Sequence, residues 1–173
     1  MNLIQPDWEK SNMGRIRSSL EQTRDNPARG FEWAYWQRLC HLDLMTLTGH
    51  TGPVDSAVYS PDGARILTGS VDGTARVWDA RTGREVLTLP GGGPVAVFSS
   101  DGRRIATAGS GALTRLWDAR SGRLLLSFQT GLVLPHALAF SPDGRRIVLL
   151  LAGGTARVWE IAASRARQVL TLP

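Results

Sequence analysis

The sequence predicts a mainly β protein, three four-stranded antiparallel units in succession behind an α-helical segment, and three observations carry that expectation. Three stretches align without a gap: SPDGARILTGSVDGTARVWD from Ser60, SSDGRRIATAGSGALTRLWD from Ser99 and SPDGRRIVLLLAGGTARVWE from Ser141. Their starts lie 39 and 42 residues apart, and each Trp falls 18 residues after its start, at Trp78, Trp117 and Trp159. Every unit also carries an Asp-Gly pair between short apolar runs, the pattern of tight hairpin turns that need positive φ.

Taken in order, the first element is the segment 1–43. DWEKSNMGRIRSSLEQTRDNP sets Trp8, Ile16 and Leu20 at spacings of eight and four, with Pro27 beyond its end, which predicts a modest amphipathic helix. RGFEWAYWQRLCHLD predicts a second: Phe31, Tyr35 and Leu39 recur every four residues, and Trp33, Trp36 and Cys40 widen the apolar face. That helix is expected to dock on the first helix or on the β region.

The rest, 44–173, divides at about 44–85, 86–124 and 125–168, with a further outer strand at 169–173. In the first unit VDSAVYS, ARILTGS, TARVWDA and EVLTLP read as four strands, separated by PDG, VDG and RTGR. Four strands in a period of about 40 residues is the count of a propeller blade.

Gly49-His50, followed by VDSAVYSPDGARILTGSVDGTARVWD and ending on Trp78-Asp79, resembles a WD repeat, and the resemblance runs on to Pro173. It implies a partial, open WD-repeat β-propeller of about three blades. It also implies a buried hydrogen-bonded tetrad in the first blade, assigned to His50, Ser70 (or Thr68), Asp72 and Trp78. A buried indole N–H needs an acceptor, a hydroxyl supplies one, and His relays to a carboxylate.

The other units keep their markers, Trp117 with Asp118 and Trp159, but depart from the tetrad. In the second, no His follows the glycine and Gly111 stands at the Asp72 position, so its tetrad is expected to be lost. In the third, Gly131, Gly153 and Leu151 align with His50, Asp72 and Ser70, so only Trp159 remains. His136 aligns with Asp55 instead, at the start of the innermost strand. The resemblance makes Asp55 and His136 candidate contacts for a partner at the blade rim.

RGFEWAYWQRLCH directly before TLTGHTGPV is similar to the helical region that precedes WD arrays in large bacterial proteins headed by a serine/threonine kinase. This chain has no GxGxxG loop, no HRD or DFG, and a single lysine, Lys10, so no machinery for phosphoryl transfer is expected. There is no GxSxG elbow either. GGGP at 91–94 reads as a loop shortened by deletion rather than a phosphate cradle.

At 173 residues, 42% hydrophobic and 20% charged, the chain is expected to fold as a soluble globular protein. One cysteine, Cys40, excludes an internal disulfide, and no His/Cys spacing suggests a metal. IVLLLA, the longest aliphatic run, is strand-length, and the start MNLIQPDWEK lacks the pattern of a signal peptide, so a cytoplasmic protein without membrane association is expected. The net charge of +5 is spread, +1 over 1–42 and +4 over 43–173, with Arg at turn edges and no basic patch.

VLTLP occurs at 86–90 and again at 169–173, which places the end of this sequence at a blade boundary and leaves LMTLTG at 44–49 as an orphan outer strand. Three blades do not close a ring. A homo-oligomer, a complementing WD-repeat chain, or a piece of a longer protein is therefore expected. The function that follows is a non-enzymatic protein-interaction scaffold without cofactor. A regulatory fragment of a kinase-linked WD-repeat protein is the alternative, and a nucleic-acid-binding module the third reading.

Overall fold

The computed structural model describes residues 45–109, 113–130, 135–162 and 165–172. Segment 1–43, expected to be helical, and the RGFEWAYWQRLCH stretch within it lie outside the described residues. Twelve strands follow one another: β1 (Val54–Tyr59), β2 (Arg65–Ser70), β3 (Thr74–Asp79), β4 (Glu85–Pro90), β5 (Val95–Phe98), β6 (Arg104–Gly109), β7 (Leu113–Asp118), β8 (Leu124–Gln129), β9 (Pro135–Phe140), β10 (Arg146–Leu151), β11 (Ala156–Ala162) and β12 (Arg165–Leu172). They form three four-stranded antiparallel sheets, β1 to β4, β5 to β8 and β9 to β12, each in sequence order. The sheets pack as consecutive propeller blades, with β5 between β1 and β9, and no closed ring forms among the described residues.

The first turn of every sheet is built from the same atoms. Ser60 Oγ donates to Asp62 Oδ1 (2.5 Å), Ala64 N–H donates to the same oxygen (3.0 Å), and Arg65 N–H donates to Ser60 Oγ (2.9 Å). Ser99 with Asp101 and Ser141 with Asp143 repeat the arrangement. Gly63, Gly102 and Gly144 supply φ of 69°, 67° and 65°, a region that costs any residue with a Cβ. The last turn is capped by Asp79, whose Oδ1 accepts from Thr82 N–H and Thr82 Oγ, both at 2.7 Å. Asp118 does the same with Ser121. Glu160 stands at that position in the third sheet, and the pairing there continues to Ala162 opposite Arg165 instead of closing.

Residues 45–49 of LMTLTG, expected as an orphan outer strand, lie outside the three sheets, and the chain at Gly49 runs so close to Arg76 and Trp78 that an added Cβ would meet them at 2.6 and 3.1 Å.

The core lies between sheets. Val58, Leu67, Val77 and Leu87 are cross-strand neighbours in one row and face Ile105 and Trp117 of the second sheet. Val97, Ala106, Leu116 and Leu126 form the matching row of the second sheet and face Phe140, Ile147 and Trp159 of the third. Each sheet thus offers an aliphatic row to its successor and a Trp-bearing row to its predecessor, the alternation that the two-residue period of a strand dictates. GGGP is part of the first joint. A Cβ on Gly69 would lie 2.7 Å from Pro94 O, and one on Gly92 would lie 2.5 Å from Ala75 N, so what read as a shortened loop is a place where backbones touch.

Candidate functional site

Two groups of residues stand out: an interior polar network in the first sheet and a pair of rim residues on the innermost strands. Trp78 Nε1 donates to Thr68 Oγ1 at 2.8 Å, His50 Nε2 lies 2.8 Å from the same hydroxyl, and His50 Nδ1 lies 2.9 Å from Asp72 Oδ2. The neutral tautomer with Nδ1–H donating to Asp72 leaves Nε2 to accept the Thr68 O–H, so every member is satisfied. Asp72 is further held by Thr51 N–H (3.0 Å), Thr74 N–H (2.8 Å) and Thr74 Oγ1 (2.7 Å). His50 and Trp78 meet edge to face at 6.2 Å.

Of the two hydroxyls the sequence offers, Ser70 and Thr68, the one in this network is Thr68. Ile66 pairs with Trp78 and Thr68 with Arg76, so Thr68 sits one diagonal step from the indole on the same face of the sheet, while Ser70 sits two steps away. Ser70 Oγ is engaged elsewhere, with Pro53 O (2.8 Å) and Gly52 O (3.2 Å), and it accepts from Asp72 N–H (3.1 Å).

The other two sheets keep graded remnants. Trp117 Nε1 donates to Thr107 Oγ1 at 2.9 Å, so the second network is halved rather than lost. Asp118 belongs to the turn cap and not to the network. In the third sheet Leu149 occupies the hydroxyl position, and the buried Trp159 Nε1 has no partner among the described residues; the ring packs on Phe128 at 4.9 Å. Trp159→Phe removes an unsatisfied N–H, whereas Trp78→Phe takes from the buried Thr68 Oγ1 the N–H it accepts. Equilibrium unfolding should therefore find the Trp78 substitution costlier by about 1–3 kcal/mol.

Burial alone would raise the Asp72 pKa, but the hydrogen bonds from Thr74, His50 and Thr51 outweigh it and hold the carboxyl well below the usual carboxylate range. A carboxyl depressed in the folded state contributes stability that is fully present above its unfolded value, about 3.9, and is lost as pH falls toward the folded value. The Ser60, Ser99 and Ser141 hydroxyls depress Asp62, Asp101 and Asp143 in the same direction. Acidification below pH about 4 should lower the melting temperature of the unaltered chain more steeply than that of Asp72→Asn, which has lost one such group. Parallel slopes would show that Asp72 adds nothing.

Asp55 and His136 share a backbone device. The β1–β2 register steps from Val54 opposite Ser70 to Ser56 opposite Gly69, which leaves Asp55 as the extra residue. The β9–β10 register steps from Pro135 opposite Leu151 to Ala137 opposite Leu150, which leaves His136. Both are exposed. A bulge re-aims the side chain it carries; the sequence offered Asp55 and His136 as candidate contacts, but no feature of it announced the bulges. In the second sheet Pro94 holds the place, and its carbonyl accepts from Ser56 Oγ at 2.7 Å. Among the described residues no group of three His, Cys, Asp or Glu is arranged to hold a metal.

Residues 43–79 match the protein family described as WD domain, G-beta repeat. The match supports a WD repeat over this stretch. The repeat is similar to the small ribosomal subunit protein RACK1 of Caenorhabditis elegans, 46% identical over 43 residues, which are 25% of this chain and 13% of that protein. It is also similar to the guanine nucleotide-binding protein subunit beta of Oryza sativa subsp. indica, 43% identical over 49 residues, 28% of this chain and 13% of that protein. The crystal structure of the RRP9 WD40 repeats superposes with a TM-score of 0.65 at 25% identity, covering 73% of this chain and 40% of that one. These likenesses support a WD-repeat family. The chain spans only a small part of its curated relatives and two-fifths of the solved one.

Proposed function

We propose that this WD-repeat chain is a non-enzymatic scaffold that binds protein through the rim of its innermost strands. The observation that carries this reading is the pair of bulges, which turn Asp55 and His136 outward at the same end of the first and third sheets. The buried His50, Asp72 and Thr68 are engaged with one another and with Trp78, so the polar groups of the first sheet hold strands together and leave recognition to the rim. The likeness to a ribosomal subunit protein and to a guanine nucleotide-binding protein subunit beta supports the same reading, since both are named as parts of assemblies. Affinity in such an interface would rest on a few anchors at the rim rather than on total contact area.

A photo-cross-linking residue placed at position 55 or 136 in cells that express the chain should capture protein. The same residue at position 81, in the outermost turn, should not. Equal capture at all three positions sinks the rim, and retention on a polyanion column that falls steeply with salt, in place of any protein adduct, would favour nucleic acid instead.

A further inference from the structure

The aliphatic face of the first sheet is covered by the second, and that of the second by the third. At the turn end of each joint an arginine crosses over: Arg65 donates to Ala119 O (2.5 Å) and Gly102 O (3.2 Å), and Arg104 donates to Gly144 O (2.7 Å). In the third sheet the same face is open. Val148 is 37% exposed and Leu170 49%, and Arg146, which stands where Arg65 and Arg104 do, is exposed as well. This face does not repeat the earlier joints, because Leu150 stands at the place of Gly69 and Ala108, and a Cβ on Gly69 would already lie 2.7 Å from Pro94 O. A sheet seated as closely as the second sits on the first is kept off, whereas a narrower occupant can lie beside Leu150.

The open face has an aliphatic half and a cationic half. Register places Val148, Val158 and Leu170 in one row, Arg146, Glu160 and Arg167 in the next, and Ala162 opposite Arg165 beyond them. Strand alternation, with the register step between Val158 and Trp159, sets all of these on one side of the sheet. The cationic half extends as far as it does because the β11–β12 hairpin runs on to Ala162 and Arg165, where the first two sheets have already closed on Asp79 and Asp118. A cavity of about 530 Å³ opens there, lined by Arg145, Glu160, Ile161, Ala162, Arg165 and Arg167. The side chains of Arg145, Arg146, Arg165 and Arg167 make no hydrogen bond or ion pair among the described residues. Asp143 in the adjoining turn accepts from Ser141 Oγ and from Arg145 N–H, so Glu160 is the uncommitted carboxylate beside four guanidinium groups.

We infer that this face binds an acidic peptide, an extended partner segment laid along β12 with carboxylates at alternate residues against Arg165 and Arg167 and an aliphatic side chain over Val158 and Leu170. Residues two apart on an extended chain are about 7 Å apart, so alternate carboxylates match the two arginines one to one, each through the forked N–H donors of a guanidinium. Nucleic acid fits less well. Its phosphates would meet Glu160, and the rows beside the arginines are aliphatic, with no aromatic ring among their residues on which a base could stack. The surface lies at the opposite end of the strands from Asp55 and His136, so it goes beyond the rim reading and each stands or falls separately.

The probe is a fluorescein-labelled peptide in which glutamates alternate with serines ahead of a leucine, titrated into the full chain and followed by anisotropy. Binding should weaken as salt rises. It should fall by at least about tenfold when glutamine replaces glutamate in the peptide, or when the chain carries Arg165→Glu with Arg167→Glu, exposed changes checked by unchanged circular dichroism. A peptide with arginine in place of glutamate should bind that variant and not the unaltered chain, a reversal that damage to the fold would not produce. In the unaltered chain, hydrogen exchange should slow at 160–170 when the peptide is added and stay unchanged at 54–56. No binding by the unaltered chain, equal binding of the glutamine peptide, a variant that keeps its affinity, failure of the reversed pair, protection confined to other segments, or tighter binding of a single-stranded oligonucleotide than of the peptide would each overturn the inference.

Discussion

Gly93→Ala is expected to cost about 3 kcal/mol or more of folding stability, from positive φ and overpacking together. Gly93 has a φ of 75°, and a Cβ there would press into the Cα of Gly109 and stand 2.7 Å from Ala108 O. Both obstacles are backbone of β6, which is held in its ladder to β5 and β7 and has no side-chain rotation with which to give way. Gly153→Ala is the control. Its φ is 86° with nothing within 4 Å of the added carbon, so it carries the conformational strain alone, about 1 kcal/mol. Denaturant midpoints of the two variants, with the slope unchanged, measure the difference. Equal losses would mean that the chain entering β5 does not approach β6 at Gly93 as described.

Thr68→Val is expected to lower stability by about 2–4 kcal/mol, because it preserves shape and β-branching while removing the partner of two buried groups. Trp78 Nε1 and His50 Nε2 both depend on that hydroxyl, and Thr68 is itself buried. Thr107→Val removes the acceptor of one indole only and should lose about 1–2 kcal/mol. Urea unfolding followed by tryptophan fluorescence would rank them. A double variant, Thr68→Val with Trp78→Phe, should lose less than the sum of its two single changes, since the second removes the donor that the first left unpaired. Strict additivity would argue against the bond.

What could be read in advance follows from which interactions are local in the chain. The Ser-x-Asp-Gly turns bind within five residues, so their letters sit together and recur with the period; the strands, their order and the sheet boundaries follow from them. The choice between Thr68 and Ser70 turned on diagonal geometry across a strand pair, which no spacing along the chain contains. The bulges at Asp55 and His136 were equally hidden, because a bulge is a relation between two strands and either sequence reads as regular. Arg104, in one of the turn-edge DGRR stretches, meets the Gly144 carbonyl and the Phe140 ring of the neighbouring sheet, which nothing along the chain announces. GGGP reads as a short loop, and the nearness of other backbones to its glycines is likewise absent from the letters.

The turn caps also bear on how the chain acquires its structure in time. Ser60 with Asp62, Ser99 with Asp101 and Ser141 with Asp143 close their hairpins using nothing beyond the hairpin itself, and such hairpins form in about 1–10 μs. Every sheet is completed by strands adjacent in sequence, so contact order within a sheet is low and the entropy of closing long loops is largely avoided. During synthesis each sheet can therefore zip as its fourth strand leaves the ribosome, and the slower event left for the whole chain is the seating of one finished sheet on the next.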